Sequence, residues 1–133
     1  MTKSVFVFGS NTLGRHGTGA ALTAYKKYGA RMSFSYGHMS SNWGDSFAIP
    51  TKDHQLRTLP YSRIHQYVQG FLAYAHDHPE LTFMVTRVGS GLVGIPDQSM
   101  AACFEHAPTN CQFDEKWRKY LGDEYTYWGA LNG

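Results

Sequence analysis

The chain has 133 residues, of which 42 % are apolar, 15 % aromatic and 17 % charged, and its formal net charge is +2 with the histidines neutral. That length suits one domain, residues 1–133, and the apolar fraction is enough for a buried core and too high for disorder. The 12 Lys and Arg are spread along the chain against 10 Asp and Glu, which excludes the dense basic footprint of a protein that grips duplex nucleic acid.

Met1 to Val5 lead straight into a strand-like run, not through a signal peptide, and no stretch of about twenty apolar residues follows anywhere. A cytoplasmic protein with no membrane partner is therefore expected. Ser4 to Phe8, closed by Gly9, is β-branched and aromatic and predicts a first buried strand. Residues 17–28 predict a helix that opens in glycines and ends at Gly29, with Lys26 and Lys27 suited to its negative end. Residues 31–45 carry no period and predict a long loop. Ser46 to Ile49 predict a second strand, from which Thr51, Lys52 and Asp53 emerge.

After Pro60 the spacing of Ile64, Val68, Phe71 and Leu72 predicts a helix that Pro79 ends. Leu81 to Val88 give the strongest strand signal, followed by a glycine loop, a helix over 97–106 and a short strand over 110–113. The tail over 122–133 is aromatic and predicts either a lid or a free end. Strands alternating with helices imply an α/β layered fold with a mainly parallel sheet, whose ligand site lies at the carboxyl ends of its strands. Seventeen Phe and Tyr exceed the needs of a small core, so some are expected to line a site for a planar ligand.

Two loops carry the chemistry. The first holds Gly9, Ser10, Asn11, Gly14, Arg15, His16, Gly17, Thr18 and Gly19 between a strand end and a helix start. Glycines there let backbone N–H groups approach an anion at the positive end of the helix. Arg15 adds a phosphate partner and His16 a group that titrates near neutrality. The second holds Gly89, Ser90, Gly91, Leu92, Val93 and Gly94. It satisfies GxGxxG, yet Pro96 delays the helix past the motif and too little chain follows for a dinucleotide-binding Rossmann domain.

Thr51, Lys52 and Arg87 stand at strand ends as further ligand contacts, and Asp53 and His16 are the candidate general bases. His76, Asp77 and His78 fall at a helix C-terminus, where histidines suit the dipole, so no metal site and no cofactor are expected. Cys103 and Cys111 lack CxxC spacing and read as reduced core thiols.

Both loops together resemble those of macrodomains. Gly89 to Pro96 are similar to the macrodomain phosphate loop, and Asn11 with the following glycines resembles the macrodomain segment that opens its first helix. FGSN-x-LGRHG-x-GAA followed by AIPTKD resembles a group of small macro-like bacterial and phage proteins. The resemblance spans most of residues 5–107 and implies a three-layer α/β/α fold that binds ADP-ribose or a related nucleotide. It places the diphosphate on Gly89 to Gly94, Asn11 near the distal ribose and Gly14 to Gly19 across the ligand. Arg15 and His16 stand where the usual loop has glycines. The partner implied is a small nucleotide or an ADP-ribosylated macromolecule, in a bacterial or phage-infected cell. Three readings stay open: a binding protein acting on a nucleotide signal, an ADP-ribosyl or ADP-ribose-phosphate hydrolase, and a structural or RNA-binding module.

Overall fold

The computed structural model describes residues 3–90 and 94–131. Six strands form one sheet: β1 (Lys3–Asn11), β2 (Gly37–Ser40), β3 (Asp45–Lys52), β4 (Leu81–Val85), β5 (Cys111–Asp114) and β6 (Thr126–Gly129), in the order β2-β3-β1-β4-β5-β6. All neighbours pair in parallel except β2, which runs antiparallel to β3. The helices are α1 (Gly19–Lys27), α2 (Tyr61–Asp77), α3 (Asp97–Cys103) and α4 (Arg118–Leu121), with a 3-10 turn over Glu115–Trp117.

Side chains alternate across β1, which is why one strand serves two cores. Val5 and Val7 enter the larger cluster under α2 and α3, while Phe6 and Phe8 enter the smaller one under α1. The sheet is thus covered on both faces, as a mainly parallel sheet requires. In the larger core Phe71 meets Phe47, Phe83 and Phe104 at centroid distances of 5.0, 5.2 and 6.2 Å. Most of the aromatic excess sits in such packing.

Three elements differ from the sequence expectation. The predicted loop over 31–45 contains β2, held at its start by Tyr36, whose hydroxyl donates to the Tyr67 carbonyl at 2.8 Å. Asp45, fully buried at the start of β3, accepts from His38 Nε2 and Ser40 Oγ at 2.6 and 3.0 Å and pairs with Lys3 at 2.9 Å. The residues after β5 wind into the 3-10 turn and α4. The tail, expected as a lid or a free end, supplies β6, pinned by the Trp128 indole N–H donating to the Val85 carbonyl at 2.9 Å.

Candidate functional site

The parallel strands point their carboxyl ends to one side, and there the chain leaves a cleft of about 790 Å³. Its floor follows the sheet order: Thr51 and Lys52 from β3, Gly9 to Asn11 from β1, Thr86 to Gly89 after β4, Asp114 and Lys116 at β5, Ala130 and Leu131 after β6. Five strands at about 4.8 Å spacing give a floor roughly 19 Å long. Arg15, Thr18 to Thr23 and Lys27 complete the lining. The volume lies in the range of small-molecule sites.

The first loop is built by Asn11. Its carboxamide oxygen accepts from the backbone N–H groups of Leu13 and Arg15, both at 3.1 Å, and its nitrogen donates to the Arg15 carbonyl at 2.9 Å. The side chain therefore shapes its own loop, and Asn11 also lines the cleft. Gly14 holds the turn at φ +69, where a Cβ would lie 2.5 Å from the Phe34 backbone nitrogen, so only glycine fits. Beyond it α1 begins with no side chain capping its first turn and no acidic residue in that turn. Its first residues, Thr18 to Leu22, line the cleft, and a helix N-terminus carries the positive end of the dipole.

On the far side Thr51 and Thr86 lock the floor, their hydroxyls donating to the Ser10 and Val7 carbonyls at 3.2 and 2.7 Å. Gly89 also takes a positive φ, +78, and packs against Met100. The Ile95 N–H donates to the Gly89 carbonyl at 3.0 Å, closing the base of the second loop. The Ser90 hydroxyl is buried and has no partner among the described residues. Gly91, Leu92 and Val93, expected to cradle a diphosphate, lie outside the described residues.

The cleft is cationic. Arg15, Lys27, Lys52, Arg87 and Lys116 line it against one carboxylate, the buried Asp114. Arg87 is committed elsewhere, its guanidinium forking onto Asp97 at 2.7 and 2.6 Å while the Trp117 indole N–H donates to the same carboxylate at 2.7 Å. Arg87 holds the Asp97 carboxyl below the usual carboxylate range. Among the described residues the other four cations have no ion-pair partner. No Phe, Tyr or Trp is found among the described lining residues, contrary to the aromatic site expected from composition.

The two candidate bases are not brought together. His16 is fully buried, its ring edge-on to Phe8, with Nε2 donating to the Arg31 carbonyl at 2.8 Å. Burial pushes its imidazole below the ordinary value, against the pull of the Arg31 and Phe34 carbonyls. Asp53 turns away from the cleft: the N–H groups of Gln55 and Arg57 donate to its carboxylate at 2.8 and 3.0 Å, and the Arg57 guanidinium stands 3.4 Å off. Neither residue lines the cleft. Sequence reasoning missed Ala20, Ala21, Leu22, Thr23, Lys27, Thr86, Val88, Asp114, Lys116, Ala130 and Leu131 as lining residues. The strand end after β4 was the signal for Thr86 and Val88, and the predicted helix over 17–28 the one for the α1 residues.

No protein-family model and no curated protein sequence matches the chain. Solved structures do. The macrodomain of Mycobacterium tuberculosis DarG has a TM-score of 0.65 and 14 % identity, covering 99 % of this chain and 90 % of that one. Thermosipho africanus DarTG in complex with ADP-ribose has a TM-score of 0.60 and 14 % identity over 84 % of this chain and 37 % of that one. A macrodomain protein from Streptomyces coelicolor has a TM-score of 0.61 and 12 % identity over 100 % and 90 %. The architecture of this chain is that of the macrodomain fold.

Proposed function

We propose that this protein binds ADP-ribose or a related NAD-derived nucleotide in the cleft at the carboxyl ends of its strands, and that it holds this ligand without cleaving it. The observation that carries the reading is the convergence of the uncapped N-terminus of α1 with four cations that have no ion-pair partner among the described residues, Arg15, Lys27, Lys52 and Lys116, on one cleft of nucleotide size. Backbone donors and a helix terminus favour a diphosphate, and lysine and arginine neutralise it. The aliphatic wall of Ala20, Ala21, Val88, Ala130 and Leu131 offers surface to a base or ribose face. The similarity of fold to DarTG, solved with ADP-ribose, supports the choice of nucleotide.

A hydrolase would need a base within reach of a water beside the ligand. His16 lies sealed under the loop and Asp53 is held by its own turn, so neither is placed for that role. A binding protein needs only depth and complementarity, and retention of a nucleotide signal, or recognition of an ADP-ribosylated macromolecule in a bacterial or phage-infected cytoplasm, fits such a site. Thermal-shift screening against ADP-ribose, NAD, ADP-ribose phosphates and cyclic ADP-ribose isomers tests the reading. At a hundredfold the dissociation constant a ligand should stabilise the fold by about 2.7 kcal/mol, and mass spectrometry should recover it intact. No shift with any of them refutes the nucleotide, and a cleaved product that depends on His16 or Asp53 refutes binding without turnover.

A further inference from the structure

The sulfur atoms of this chain differ sharply in what an oxidant can reach. Both cysteine thiols are buried, and burial pushes both up, Cys111 to about 12, so neither supplies the thiolate that reacts with a peroxide. Met39 and Met100 are fully buried and Met84 is half-buried. Among the described residues Met32, at 46 % exposure, is the one thioether open to solvent.

That thioether is also part of the first loop's support. Residues 31–34 form a turn, with Ser33 at φ +69, and lie so close to the loop that a Cβ on Gly14 would come 2.5 Å from the Phe34 backbone nitrogen. Three hydrogen bonds join the two segments. The Ser33 N–H donates to the Gly14 carbonyl at 2.9 Å, His16 Nε2 donates to the Arg31 carbonyl at 2.8 Å, and the His16 N–H donates to Met32 Sδ at 3.4 Å. Arg15, which lines the cleft, stands between the two residues so held. Two of the three bonds end on backbone carbonyls, and the third ends on the exposed sulfur.

We propose that Met32 is a site of oxidation by peroxides, and that its sulfoxide loosens the first loop and weakens ligand binding in the cleft. The sulfur gives a lone pair to one peroxide oxygen; the S–O bond forms as the O–O bond breaks, and the second oxygen leaves as water with the proton of the first. The thioether is oxidised by two electrons and the peroxide is reduced. A thioether sulfur is a weak acceptor, and in the sulfoxide the sulfur is the positive end of the new bond. The His16 N–H must then turn to the added oxygen or to water, and Arg15 loses a fixed neighbour. The side chain has become polar, and reductases that act on methionine sulfoxide reverse the change. The effect on the cleft rests on the nucleotide reading above, whereas the modification and the loosened loop do not.

Treating the folded protein with millimolar hydrogen peroxide and locating sulfoxides by fragmentation mass spectrometry tests the site. Met32 should be oxidised about tenfold faster than Met39 or Met100. Hydrogen exchange of the His16 amide should then quicken about tenfold, return after treatment with a methionine sulfoxide reductase, and not respond to peroxide in Met32→Leu. The Kd for ADP-ribose should rise about fivefold in the oxidised parent and stay constant when Met32→Leu is treated in the same way. Equal oxidation of Met32, Met39 and Met100 overturns the proposal, as does a His16 amide that exchanges no faster in the sulfoxide form. So does a loss of affinity on peroxide treatment that persists in Met32→Leu. If ADP-ribose binds neither form, the nucleotide reading fails and the exchange of the His16 amide alone decides whether Met32 holds the loop.

Discussion

His16 keeps its whole ring out of water, and that decides how it answers to pH. Burial lowers its folded pKa below that of the unfolded chain, about 6.5. The unfolded state then binds more protons as pH falls, so this contribution is full above that value and is lost as pH drops below it toward the lower folded value. The urea midpoint should fall over that window, and His16→Gln should flatten the fall. An unchanged slope in the variant would mean that the ring is not held neutral. The glycines and Arg15 of this loop could be read from the sequence because strand, loop and helix are contiguous there. The burial of His16 could not, since it depends on Arg31 and Phe34, fifteen and more residues away.

At the scale of elements the two sheet edges are the informative ones. β1, β3 and β4 announced themselves by apolar runs, whereas β2 and β6 are four-residue strands in Gly-, Ser- and Tyr-rich segments whose pairing partners alone define them. β2 is fastened by Asp45, whose carboxyl, although burial pushes it up, is held below the usual range by Lys3, His38 and Ser40. That contribution is present above the unfolded carboxylate value of about 4 and is lost as pH falls through the lower folded one. Asp45→Ala should cost about 1–3 kcal/mol, because His38 and Ser40 lose their acceptor and Lys3 its partner while all three keep access to water. A loss below 1 kcal/mol in urea unfolding would show that β2 does not depend on it. The larger core was the easiest part to foresee, because α2 repeats its apolar positions with helical spacing. Phe71→Ala there should cost about 3–5 kcal/mol and lower the melting temperature by roughly 10–20 °C, and a calorimetric scan checks it.

For the whole molecule, the fold class followed from the alternation of strands and helices, and the position of the cleft followed from the fold class. Its far wall did not, because Asp114, Lys116, Ala130 and Leu131 meet the first loop only through the sheet order. The cationic cleft makes a prediction at this scale. Arg15→Ala and Lys52→Ala should each weaken ADP-ribose binding by about 1–3 kcal/mol, with the loss shrinking at high salt. Full affinity of both variants in titration calorimetry would return these side chains to the solvated surface.

The proposed nucleotide site is one cleft, at the carboxyl ends of β1, β3, β4, β5 and β6. Titrating the isotope-labelled protein with ADP-ribose and following its backbone amide resonances tests ligand and place together. Saturable shifts are expected at Gly9 to Asn11, Gly19 to Leu22, Thr86 to Gly89 and Ala130, with the α2 amides of Ile64 to Ala75 left in place. Shifts confined to other surfaces, or none at millimolar ADP-ribose, would contradict it.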